Sequence, residues 1–124
     1  MPLCQQDELV QLISQSDIGL FPNRVEGGTN LVMMEYMATG LPVIANDSTG
    51  QADVLDDEYA FRINGGDMEL VDQMVDRLEY AYQNRDKIKE MGAKASKAMD
   101  AFTWEKMADR FLEVCDGTFN KTEK

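Results

Sequence analysis

Short uncharged apolar runs alternate along this chain with stretches of helical period. Ile18 to Phe21 and Pro42 to Ala45 are uncharged runs bounded by polar and turn-forming residues, a pattern that suits strands buried on both faces of a parallel sheet. Glu58 to Ile63, closed by the turn Asn64, Gly65, Gly66, reads as a third short strand. Between the first two strands, Asn30 to Thr39 reads as a crossover helix, with Thr29 or Asn30 suited to its N-cap and Gly40 to its C-cap. Upstream, Leu9, Leu12 and Ile13 share one face of a helix over Gln6 to Gln15, and Asp7 and Glu8 sit in its first turn where acids suit the dipole. Downstream, Gln51 to Leu55 reads as one helical turn. Asp67 is expected to cap a helix running to about Tyr82, with Leu70, Val71, Met74, Val75, Leu78 and Tyr82 on one face. Asp86 caps a weaker helix through Ile88, Met91, Ala95 and Met99, and a last helix from Thr103 carries Trp104, Met107, Ala108, Phe111, Leu112 and Cys115 on one stripe. These stripes are assigned to core packing, Trp104 included, because a Trp on an amphipathic stripe usually packs. Residues 117–124 lack apolar pattern and read as a flexible tail, which leaves residues 1–116 as one α/β domain.

The crossover helix has an unusual composition. Leu31, Val32, Met33, Met34, Tyr36, Met37 and Ala38 are apolar on every face, as in a helix buried all round, so Glu35 is an ionisable group in a mostly apolar setting. Glu35 lies roughly 8 Å past the helix start, and side chains lean toward the N-terminus, so its carboxylate points back toward the preceding loop. Gly27 and Gly28 in that loop let backbone approach a ligand closely. Free amides at the helix start favour phosphate, whereas a carboxylate accepts hydrogen bonds only, which suits a sugar diol. The competing assignment for Glu35 is an exposed residue or one paired with a base. Arg24, the cation nearest this loop, is either a diphosphate contact or a solvated loop residue. Thr49 and Gly50 follow the second strand at its C-terminal end, where open α/β sheets place ligands, and are expected to line the same cleft.

Composition narrows the field. The 124 residues suffice for one domain with a modest core, and a 44% hydrophobic content is ordinary for a globular protein. Twelve basic against 23 acidic residues give a net charge of -11, which argues against broad nucleic-acid or anionic-membrane binding. Cys4 and Cys115 have no metal-ligand spacing and read as free thiols in a reducing cytoplasm; no metal site is expected. No signal-peptide pattern or apolar run of membrane-spanning length is present in the sequence. Neither GxGxxG nor GxxxxGK[ST] occurs, which disfavours NAD and ATP sites of those types.

The segment FPNRVEGGTNLVMMEYMATGLPVIA resembles the acidic donor-binding motif of retaining glycosyltransferases with the GT-B fold, of the family 4 type. The resemblance continues through the turn from Thr49 to Val54 and the helix start from Phe102 to Lys106, and so covers nearly the whole chain. It implies that Glu26 contacts hydroxyls of the donor sugar at the catalytic centre. It also implies that amides of Gly27, Gly28, Thr29, Asn30 and Leu31 hold sugar and diphosphate, and that Glu35 accepts from the ribose diol. The usual spacing places seven residues between the two acids; here eight intervene, Gly27 to Met34, so the turn bulges by one residue. The implied fold is a Rossmann-like half-domain, about three parallel strands with flanking helices and a helical C-terminus. A nucleotide-diphosphate sugar is then the partner, as substrate rather than cofactor.

The resemblance matches only the second half of the second GT-B domain. It implies the C-terminal piece of a glycosyltransferase, inactive without its N-terminal portion, cytoplasmic or peripheral to the inner face of a membrane. A noncatalytic α/β nucleotide-binding or interaction module is the alternative. A receiver domain fits the length, but its acidic pair, phospho-acceptor Asp and Lys cannot be mapped onto three strands. The strand Ile18 to Phe21 is expected to leave an open sheet edge, through which the chain is expected to form a homodimer.

Overall fold

The strand β2 (Val43–Asn46) is the centre of a three-stranded parallel sheet, flanked by β1 (Gly19–Phe21) and β3 (Ala60–Ile63). Gly19 pairs with Val43, and Val43 in turn with Ala60, so the three strands run in register and in chain order. A computed structural model describes residues 4–25 and 28–122 of the chain. Six helices surround the sheet within these residues: α1 (Gln6–Ser14), α2 (Leu31–Ala38), α3 (Thr49–Ala52), α4 (Asp67–Gln83), α5 (Arg85–Met99) and α6 (Trp104–Thr122). This is the expected α/β half-domain with flanking helices and a helical C-terminus.

The alternation of side chains along the strands sorts the core into two layers. Phe21, Val43, Ala45 and Ala60 face Met33 and Met37 of α2 and Ala95 and Met99 of α5. Ile44 and Ile63 face the other way, against Leu70 of α4. β2 is therefore buried throughout, as its unbroken apolar run requires, while β1 at the sheet edge leaves Leu20 exposed. Gly40, at φ +93°, ends α2 in the conformation that favours glycine. A Cβ on Gly92 of α5 would stand 2.0 Å from the Gly40 carbonyl oxygen, so α2 and α5 touch backbone to backbone. Ser96 Oγ adds a bond of 3.1 Å to the Ala38 carbonyl. Gly92→Ala is expected to cost about 2 kcal/mol through this overpacking. In an open helix the same change would gain about 1 kcal/mol, so urea unfolding that shows a gain would mean the two helices do not meet.

Several packing expectations are corrected. Three strands about 4.8 Å apart make a face about one helix wide. A helix laid on it buries only the ridge directly above the sheet. α4 thus buries Leu70 and half-buries Met74, while Val71, Val75, Leu78 and Tyr82 are exposed. In α1 only Ile13 is buried; Leu9 and Leu12 are exposed. α2 is not buried all round, since Leu31, Val32 and Glu35 face solvent. The stripe of α6 does not join the core: Trp104, Met107, Phe111 and Leu112 are exposed. That helix also continues to Thr122, past Gly117 where the apolar pattern stops. Gly66, not Asp67, is the N-cap of α4, with Glu69 accepting from the Gly66 amide at 3.3 Å. Likewise Asn84 precedes α5, and Asp86 falls in its first turn.

Candidate functional site

A buried polar pair fixes the start of α2 against the ends of the strands. Asn30 is the N-cap: its Oδ1 accepts from the Met33 amide at 3.1 Å, and its Nδ2 donates to Gln51 Oε1 at 2.8 Å. Gln51, with no exposed surface, donates in turn to the Asn46 carbonyl at 2.9 Å and the Phe21 carbonyl at 3.5 Å. One side chain therefore joins the C-terminal ends of β1 and β2, α3 and the cap of α2. With the Met33 amide taken by the cap, the amides of Leu31 and Val32 are the ones at the helix start that have no acceptor within the helix. Gly50, next to Gln51, brings the loop in: a Cβ there would stand 1.8 Å from the Gly28 carbonyl oxygen. Gly28 and Gly50 are in backbone contact.

Beside this knot opens a cleft of about 670 Å³. Thr29, Leu31, Met34, Glu35 and Ala38 line its α2 side, following the i, i+3, i+4 ridge of the helix. Asp53, Val54 and Met99 line it from the loop after α3 and the end of α5. Phe102 and Thr103 lead into its other side, formed by Trp104, Met107 and Arg110 of α6. Thr103 Oγ1 accepts from the Lys106 amide at 3.2 Å and so caps that helix. The cleft thus combines two hydroxyls, two carboxylates, one guanidinium, the starts of α2 and α6 and an exposed indole.

The residues singled out by sequence separate into groups. Thr29, Leu31 and Glu35 come together in the cleft. Gly28 and Gly50 meet just beside it, and Thr49 opens α3. Asn30 lies at the helix start as expected, but its side chain is committed to the cap and to Gln51. Arg24 does not reach the cleft; its guanidinium pairs with Asp67 at the start of α4, while its carbonyl accepts from Ser48 Oγ at 3.0 Å. Glu26 and Gly27 lie outside the described residues. Three residues here are not singled out by the sequence: Gln51, although it falls in the turn from Thr49 to Val54 that carries part of the resemblance, Arg110, and Trp104, whose stripe reads as core.

None of the perturbed titrations belongs to a side chain lining the cleft, although the Tyr59 hydroxyl donates to the Val54 carbonyl in its wall at 2.8 Å. Arg62 on β3 hydrogen-bonds Asp57 through Nε at 2.9 Å and a terminal nitrogen at 3.1 Å, and holds that carboxyl below its usual range. Burial, then the charges of Asp56 and Glu58, push the Tyr59 phenol up. Among the described residues no cluster of three or more His, Cys, Asp or Glu could hold a metal, and no helix is long and apolar enough to cross a membrane.

The sequence pattern of the glycosyl transferases group 1 family matches residues 3–84, from α1 through α4. The chain belongs to that family. It is 29% identical over 104 residues to sulfoquinovosyl transferase SQD2 of Arabidopsis thaliana, a match over 81% of this chain and 20% of that protein. The crystal structure of Anabaena Alr3699/HepE in complex with UDP shares the fold, with a TM-score of 0.73 at 16% identity over 86% of this chain and 29% of that one. The chain therefore spans about a fifth of the curated relative and under a third of the solved structure. Within the family it is a Rossmann-like portion of the GT-B fold, in which α5 and α6 fall beyond the matched sequence pattern.

Proposed function

We propose that this chain supplies the nucleotide-diphosphate-sugar site of a glycosyltransferase that transfers a sugar to an acceptor. The observation that carries the reading is the cleft shared by Thr29, at the start of α2, and Glu35, one face of that helix further on. Helix-start amides and the Thr29 hydroxyl suit a diphosphate, and the Glu35 carboxylate suits the ribose diol. HepE, of the same fold, was crystallised with UDP, which favours the same ligand class here. Glu26, which falls between β1 and α2 in the sequence, is assigned to the donor sugar by the family resemblance. Charge on the diphosphate is met by amides and Arg110 rather than by a metal.

Calorimetric titration with UDP-, GDP- and ADP-sugars tests the reading. Glu35→Ala is expected to weaken binding of the preferred donor by roughly ten- to a hundredfold, the value of about 1.5–3 kcal/mol for a hydrogen bond to a charged group. Because Glu35 is exposed, the thermal midpoint should hardly change. Equal affinity in the variant would remove Glu35 from the site.

A further inference from the structure

The two ends of α2 are held by different means. At its C-terminal end the Gly40 carbonyl lies against Gly92 of α5, and Ser96 Oγ bonds the Ala38 carbonyl. Met33 and Met37, with no exposed surface, seat its inner face in the apolar layer. Apolar contact has no direction, so it fixes how deep the helix lies and leaves the orientation of its first turn weakly set. At the N-terminal end a directional contact is the bond from Asn30 Nδ2 to Gln51 Oε1, and Gln51 is itself bonded to the ends of two strands. Resting on the donor-site reading above, we propose that Gln51 is a positioning residue for the donor, which sets donor affinity through the start of α2 without touching the ligand.

Gln51 is fully buried and does not line the cleft, so any effect it has on a ligand is carried by other groups. Asn30 is the first of them. Its side-chain amide is planar, so holding Nδ2 on Gln51 also aims Oδ1 at the Met33 amide, which is the cap of α2. Thr29 and Leu31 flank Asn30 in the chain, and Glu35 stands four residues beyond Leu31 on the same ridge of the cleft. A turn of the helix start therefore moves a hydroxyl, the free amides and the carboxylate together, and misplacement on the scale of 1 Å is enough to lose a positioned contact. Asn30 and Gln51 are both neutral, so the link adds no charge beside a diphosphate and its effect on binding is geometric.

Calorimetry with UDP-, GDP- and ADP-sugars tests the role. Gln51→Met is expected to weaken binding of the preferred donor about tenfold. Asn30→Ser keeps a good N-cap while removing the bond to Gln51, and is expected to lose about as much. Because both substitutions break one link, the double variant is expected to lose about tenfold as well, where independent effects would give about a hundredfold. Leu70→Ala is the control for stability alone. Leu70 packs on Ile44 and Ile63 in the other layer, so its truncation weakens the fold away from α2. Donor affinity in that variant is expected to stay within about twofold of the parent chain. Circular dichroism checks that each variant is folded at the titration temperature, and Asn30→Ser decides the question if Gln51→Met does not fold. Donor binding to Asn30→Ser at the parent affinity overturns the positioning role and leaves the donor-site reading standing. A loss in Leu70→Ala equal to that in Asn30→Ser also overturns it, since affinity then follows stability. If none of the three donors binds the parent chain, both proposals fall.

Discussion

Gln51→Met is expected to lower the unfolding free energy by about 3 kcal/mol. Methionine keeps the length and much of the volume of glutamine, so the loss measures the polar contacts and not a cavity. In its place the Asn30 amide and the Asn46 carbonyl lose partners in a site closed to water, and each buried orphan costs about 1–3 kcal/mol. For a domain whose total stability is of the order of 5–15 kcal/mol, this is a large fraction. Urea unfolding monitored by circular dichroism gives the number. A loss under about 1 kcal/mol would show that the pair is replaceable and that the start of α2 is held by something else.

Gly50→Ala is expected to separate the site from the fold. The added Cβ would fall 1.8 Å from the Gly28 carbonyl oxygen, 2.2 Å from its carbon and 2.9 Å from the Thr29 amide nitrogen. All three are backbone atoms, so no rotamer change relieves the contact, and the loop has to move by about 1.5 Å to reach ordinary packing distance. Overpacking of this kind costs about 1–3 kcal/mol of stability. The effect on ligand is larger, because Thr29 and the helix-start amides travel with the loop, and misplacement on the scale of 1 Å is enough to lose a positioned contact. Donor affinity is expected to drop about a hundredfold or more, which corresponds to about 2.7 kcal/mol. An alanine variant that binds donor as tightly as the parent chain would place the ligand away from this loop.

The strands and helices were legible to within a few residues because each rests on a local pattern. An uncharged run such as Pro42 to Ala45 has one stable home, the doubly covered centre of a parallel sheet, and β2 occupies it. The placing of Thr29 and Glu35 on one cleft was legible too, since it depends only on helix periodicity and on the lean of side chains toward the N-terminus. Capping was read less well. At Asp67 and Asp86 the acid falls within the first turn, and the cap is taken by Gly66, one residue before the first, and by Asn84, two residues before the second. Both positions suit an acid through the same dipole, so composition does not distinguish them.

Sequence by itself determined the class of fold, the family motif and the order of elements, because these follow from period, turn chemistry and the spacing of a contiguous segment. Tertiary structure alone decided which apolar stripes have something to pack against. Leu70 and Val71 look equivalent in the pattern of α4, but one packs on Ile44 and Ile63 and the other is exposed, because a sheet of three strands covers only part of the helix's apolar face. The same holds for Trp104 and Phe111: an amphipathic stripe states that a surface wants a partner and not where that partner is. Gln51 is the converse case. A polar residue in a short helical turn predicts exposure, yet the carbonyls at the ends of β1 and β2 and the cap of α2 converge on it. Groups far apart in the chain meet there, and burial is favourable because every hydrogen bond is made.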